Sequence, residues 1–106
     1  MSRMQQLGLV EGRHSMPVNG YLLPRVIPAA MGYVLAQKAM LKRLEDYPDE
    51  TSFHVYLTGL TAAAMGMIAA FVNAQPRGKS LHIWEWHPDT RDYEETTIIA
   101  EGHFLN

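Results

Sequence analysis

Of the residues able to do chemistry, the densest grouping is Thr58-Gly59-Leu60-Thr61. It lies between an aromatic and β-branched stretch, Phe53-His54-Val55-Tyr56-Leu57, and a stretch rich in alanine and methionine that begins at Ala62. Strand, turn and helix in that order bring free backbone N–H groups at the helix start to the end of the strand. Those groups and the helix dipole favour an anion, typically phosphate. Gly59 permits close approach of the backbone to a ligand, and Thr58 and Thr61 add hydroxyl donors. The same residues also make an ordinary turn, with Thr61 as helix cap and Gly59 relieving the bend. Both uses stay open on spacing alone.

Three further groups supply candidate contacts. Glu11-Gly12-Arg13-His14 is a polar cluster in apolar surroundings. There Arg13 is able to clamp a phosphate and His14 to act as acid or base near neutral pH; the competing role is a solvated Glu11–Arg13 surface pair. Arg25 is a similar phosphate candidate. Tyr56, Trp84 and Trp86 offer faces on which a base stacks, with His82 or His87 to hydrogen-bond beside it. Against this, a tryptophan also serves as packing under a helix or against a second subunit.

Other chemistries find less support. Cysteine is absent, so thiolate nucleophiles, disulfides and zinc–thiolate sites are excluded. His14, His54, His82, His87 and His103 fall at neither i, i+2 on a strand nor i, i+4 on a helix. No metal ligand set and no cofactor is expected from that spacing. Ser2, Ser15, Ser52 and Ser80 lack the strained turn of a serine nucleophile, so no catalytic residue is assigned.

The elements that must position these groups follow from periodicity. The 106 residues suffice for one domain, 1–106, and 47% hydrophobic with 19% charged is a globular balance. Residues 1–27 suggest an irregular arm with short extended pieces, Leu7–Val10 among them, and Asn19-Gly20 signals a tight hairpin turn. From Pro28 to about Glu45 an amphipathic helix is expected, with Met31, Val34, Leu35, Leu41 and Leu44 on its apolar stripe. Phe53–Leu57 is a strand, and Ala62–Ala74 a helix apolar nearly all round, needing cover by the sheet and by a further surface such as another subunit. Ala62, Gly66 and Ala70 allow a close backbone approach on one side. Leu81–Trp86 alternates, with Leu81 and Ile83 facing one way and His82, Trp84 and Trp86 the other. After the turn 88–92, Glu94–Ala100 returns as a strand. The fold class expected is a small α/β domain: two helices on a short mixed sheet, a Rossmann-like βαβ unit with a C-terminal hairpin, and no visible internal repeat.

Leu57-Thr58-Gly59-Leu60-Thr61-Ala62-Ala63-Ala64-Met65 resembles the Thr-Gly-Gly-Thr-Lys ligand loop of CRISPR-associated Rossmann-fold (CARF) sensor domains. Thr58, Gly59 and Thr61 match; Leu60 stands for the second glycine and Ala62 for the lysine. In that family the loop touches cyclic oligoadenylate at a homodimer interface, and some members cleave the ring. The resemblance implies a nucleotide-sequestering relative, akin to small phage proteins that blunt nucleotide-signalling defences. The expected ligand-binding residues are Thr58, Gly59, Leu60, Thr61, Arg13, His14, Tyr56 and Trp84. The alternatives are a metal-independent ring nuclease and a ligand-free interaction module docking through the second helix.

Charge and hydropathy narrow the partners. A net charge of -2 argues against duplex nucleic acid. The longest apolar run, Ala62 to Val72, is about half of the ~20 residues that span a bilayer. Met1–Val10 lacks the apolar core of a secretion signal. A homo-oligomer in the cytoplasm, holding a small nucleotide, is the expectation.

Overall fold

A computed structural model describes residues 4–10, 20–23, 31–57, 61–100 and 103–104. The elements, in chain order, are β1 (Met4–Val10), β2 (Gly20–Leu23), α1 (Gly32–Asp46), β3 (Ser52–Tyr56), α2 (Thr61–Ala74), β4 (Ser80–His87), β5 (Asp92–Ala100) and β6 (His103–Phe104). Among the described residues six strands form one sheet in the order β2-β1-β3-β4-β5-β6. The first four run parallel, and β5 and β6 add antiparallel pairs. The expected small α/β fold with a mixed sheet is the one observed.

Crossover handedness explains why the two helices share a face. The connections β2–α1–β3 and β3–α2–β4 both move in the same direction across the sheet, and a right-handed crossover then sets both helices on the same side. Leu7 and Leu9 of β1, Phe53 and Val55 of β3, Leu81 and Ile83 of β4, and Ile99 of β5 are buried with Ala36, Met40, Ala63, Met67, Ala70 and Phe71 of the helices. This is a two-layer domain with one core. Parallel strands covered on both faces read as continuous apolar runs. Here β3 and β4 alternate instead, which suits cover on one face only.

Between the helices the approach is close. A Cβ on Gly66 would sit 2.1 Å from the Tyr33 carbonyl oxygen and 3.0 Å from its Cα. So α2 is covered by the sheet and by α1, where a second subunit had been a candidate. The tight contact also resets the stripe of α1. Its buried residues are Gly32, Ala36 and Met40, small or flexible groups at i, i+4 and i+8, with Leu35, Ala39 and Leu44 beside them. Val34 and Leu41, expected inward, are 46% and 47% exposed, and Met31 is exposed too.

The N-terminal expectations change most. Met4–Val10 is a full interior strand between β2 and β3, and Gly20–Leu23 pairs with it in parallel, Gly8 opposite Tyr21. The hairpin signalled by Asn19-Gly20 would pair the residues on either side of it, and Asn19 with those before it lies outside the described residues. Gly20 opens β2. Pro28 and residues 11–19 lie outside the described residues.

Helix ends and turns follow local chemistry. The Tyr47 N–H donates to the Arg43 carbonyl at 3.0 Å, and Pro48 prevents continuation of α1. After α2, Gln75 adopts a φ of 45° and Pro76 follows. The Lys79 ammonium then donates to the carbonyls of Pro48 (2.7 Å) and Glu50, tying the two loops at the amino end of the sheet. No helix among the described residues is long and apolar enough to cross a membrane.

Gly66→Ala sets two effects of opposite sign against each other. On an open helix face alanine would add about 1 kcal/mol. Against the Tyr33 backbone it forces the helices apart, at a cost of about 1–3 kcal/mol. A lower urea midpoint is expected; an unchanged or higher one would show that the helices do not touch there.

Candidate functional site

Two strands carry the same five-residue pattern. Ser52-Phe53-His54-Val55-Tyr56 and Ser80-Leu81-His82-Ile83-Trp84 both read serine, apolar, histidine, apolar, aromatic. β3 and β4 pair in parallel with those patterns aligned: Ser52 beside Ser80, His54 beside His82, Tyr56 beside Trp84. Because side chains alternate along a strand, the apolar residues enter the core and the rest stand together on the helix-free face. The face therefore carries a serine rung, a histidine rung and an aromatic rung.

The rungs are in contact. The imidazoles of His54 and His82 stack with centroids 4.2 Å apart and planes within 4°. Tyr56 and Trp84 stack at 5.5 Å, and Tyr93 of β5 meets Tyr56 edge-on at 5.1 Å. The Trp84 indole N–H donates to His54 Nδ1 at 2.9 Å, linking the aromatic and histidine rungs. Trp86 extends the row but is 51% exposed, edge-on to Tyr93.

A β-bulge completes the cluster. His82 pairs with Ile98, and Ile83 with Thr97, but Trp84 pairs with Glu95 because the register slips by one between Ile83 and Trp84. Without the slip, Thr96 would face His82 and Trp84, and Glu95 would turn to the helix side. With it, the Glu95 carboxylate lies 2.8 Å from His82 Nδ1. An ionised carboxylate only accepts, so Nδ1 donates and carries the proton. At the other edge of that ring, His82 Nε2 is 2.8 Å from Ser80 Oγ, and the hydroxyl is the donor whenever Nε2 carries no proton.

His54 holds the opposite tautomer. Its Nδ1 accepts from Trp84 and so is unprotonated, which leaves the proton on Nε2. Burial pushes the His54 pKa below its ordinary value of 6.5, and the neighbouring His82 adds to the effect. Burial also raises the hydroxyls of Tyr56 and Tyr93 above the usual tyrosine value, with Asp92 and Glu95 helping at Tyr56. The Tyr93 hydroxyl oxygen is buried with no hydrogen-bond partner among the described residues.

The order Ser80–His82–Glu95 matches a nucleophile, base and orienting carboxylate. Yet Ser80 lies within a strand ladder, and its own N–H donates to the Thr51 carbonyl at 2.9 Å. That N–H is not free to hold an oxyanion, so the relay lacks the donor that acyl transfer needs from the nucleophile's backbone.

Of the residues expected from sequence, Thr58, Gly59, Leu60, Arg13 and His14 lie outside the described residues, as do Glu11 and Arg25. Thr61 is the first residue of α2 and is exposed. Tyr56 is only 5% exposed, enclosed by Trp84 and Tyr93, so it backs the aromatic rung rather than offering a free face. Trp84 is half-buried and, with Trp86, stands away from the helices. His54 and Glu95 were not singled out from sequence. The repeated serine-apolar-histidine-apolar-aromatic pattern was the signal available.

The strand order supplies a second feature. β1 and β3 are neighbours, with Gly8 opposite Tyr56, and their chains leave in opposite directions, towards β2 and towards α2–β4. That is a topological switch point, and ligands of open α/β sheets bind outside the carboxyl ends of the strands at such a place. A pocket of about 280 Å³ lies elsewhere, between α1 and β2, lined by Leu22, Ala39, Lys42, Arg43, Asp46 and Tyr47. Comparison with family models, curated proteins and solved structures gives no match for this chain.

Protonation of His54 is unfavourable in the folded state, so the unfolded chain binds more protons as pH falls below about 6.5. In that window stability declines with falling pH. In buffer free of divalent cations, His54→Asn is expected to flatten the decline of the urea midpoint between pH 7.5 and pH 5, roughly the span over which histidines titrate. An equal decline in the variant would remove His54 as its source.

Proposed function

We propose that this chain binds a phosphate-bearing nucleotide at the carboxyl ends of β1 and β3. The observation that carries the proposal is the switch point between those strands, with the aromatic rung ending beside it. The segments that follow the two strands contain Arg13 and His14 after β1 and Thr58, Gly59 and Leu60 after β3. Phosphates meet the backbone and hydroxyls of Thr58–Thr61 and the Arg13 guanidinium. The base stacks on Trp84, which Tyr56 supports from its other side. A cyclic oligonucleotide messenger, the ligand class suggested by the resemblance at Thr58, Gly59 and Thr61, is the first to try. The proposed role is sequestration by a homo-oligomer rather than cleavage.

A thermal-shift screen with mononucleotides, cyclic dinucleotides and cyclic oligonucleotides tests this directly. Ligand at about 100 times its Kd adds about 2.7 kcal/mol to stability, a clear rise in Tm. Gly59→Val should remove the shift without lowering the Tm of the free protein, and Trp84→Ala should weaken binding by about 1–3 kcal/mol. Recovery of intact ligand from the heated complex marks sequestration; linear product marks a ring nuclease. No shift with any nucleotide, or undiminished binding by Gly59→Val, overturns the proposal.

A further inference from the structure

One donor atom each from His54, His82 and Glu95 lies within 4.8 Å of the others, on three adjacent strands of the helix-free face. We infer that these three side chains form a binding site for a borderline-soft divalent cation, Zn²⁺ being the best fit. The inference does not depend on the nucleotide proposal. Two imidazoles and a carboxylate form a donor set that zinc takes readily.

Hydrogen bonds around the rings identify the donor atoms. At His54, Nδ1 is already unprotonated and holds only the indole N–H of Trp84. At His82, Nδ1 points to Glu95, while Nε2 faces Ser80 Oγ. With the ring proton moved from Nδ1 to Nε2, Nδ1 is free to bind the metal, and Ser80 Oγ is placed to accept a hydrogen bond from the Nε2–H, its own hydroxyl rotating away. That exchange of tautomer releases no buried charge. It gives His82 the oriented outer partner that ligating histidines usually have. Glu95 then binds the cation directly instead of accepting from His82.

Tetrahedral zinc with bonds of about 2.0–2.1 Å needs donor atoms about 3.3 Å apart. Closing from 4.8 Å takes rotamer adjustment, and the backbone register need not change. The strands already fix the three Cα positions, including the bulge that turns Glu95 to this face. Binding gives up three local contacts: the hydrogen bond from Trp84 to His54, the one from His82 to Glu95, and the face-to-face stack of the two imidazoles, which must turn so that each ring aims its lone pair at the ion. All three groups are part-exposed, so a fourth position stays open to water or an anion. Such an open position is characteristic of catalytic rather than structural zinc.

The test uses the full chain and Zn²⁺ alone. Calorimetry should give one site per chain, weakened more than about tenfold by His82→Ala and by Glu95→Gln. His87→Ala, which alters the separate His87–Glu94 pair, should bind as the parent does. In a Trp86→Phe background Trp84 is the one remaining tryptophan. Its emission should change on zinc addition as the indole is released. Circular dichroism without zinc checks each fold, and His82→Gln replaces His82→Ala if the latter unfolds. Absence of stoichiometric binding, or equal affinity in a His54→Ala/His82→Ala double variant, overturns the inference. So does zinc binding that leaves the Trp84 emission unmoved.

Discussion

The parallel, in-register pairing of β3 with β4 is the constraint on which the rest of the molecule depends. It aligns two copies of serine-apolar-histidine-apolar-aromatic, so that every apolar residue enters the core and every other residue joins a rung. A slip of one residue would reverse this, driving His82 against the helices and Leu81 or Ile83 into the open. The cost would be several buried apolar side chains and a histidine stripped of partners. Burial therefore enforces the register, and the register in turn builds the polar face as a by-product of packing.

Both described helices cover the same side of the sheet, which gives the other face its character. α1 and α2 meet through Gly66 and the Tyr33 backbone, lie on the same side of the sheet and fill the core with Ala36, Met40, Met67 and Phe71. On the other side aromatic rings supply the burial: Tyr56 is enclosed by Trp84 and Tyr93, with no helix of the described residues above it. Polar groups there find partners among themselves, Trp84 with His54, and His82 with both Ser80 and Glu95. Fixed donors and acceptors of this kind pre-organise a surface for ligands, since little rotamer entropy remains to be lost on binding.

Local pattern made part of this legible. The alternation of Leu81 to Trp86 assigned both faces of β4 correctly, and the aromatic, β-branched run marked β3. Ala62, Gly66 and Ala70 pointed to a close approach that occurs at Gly66. Non-local facts were not legible in the same way. Whether Gly20–Leu23 pairs parallel or antiparallel depends on where the intervening chain goes, not on its own residues. The stripe of α1 follows small side chains because α2 lies so near, which a count of large apolar residues misses. β6 has only two residues, too few to carry a period. The histidine cluster escaped because its members meet across strands, and Glu95 joins them only through a bulge. A five-residue pattern of residue types is too short to stand out as an internal repeat; the register of β3 against β4 is what gives it meaning.

Both functional proposals draw on the same ladder at different heights. The aromatic rung lies towards the carboxyl ends of the parallel strands, beside the switch point; the histidine rung lies one step towards their amino ends. The measurement closest to the central claim is nitrogen-detected NMR of the two imidazoles, with nuclear Overhauser contacts from the Trp84 indole proton. The structure requires His54 protonated at Nε2, His82 protonated at Nδ1, and a contact between the indole proton and the His54 ring. The opposite tautomer at His54, or an indole proton in contact with helix residues instead, would mean that β3 and β4 are not in this register.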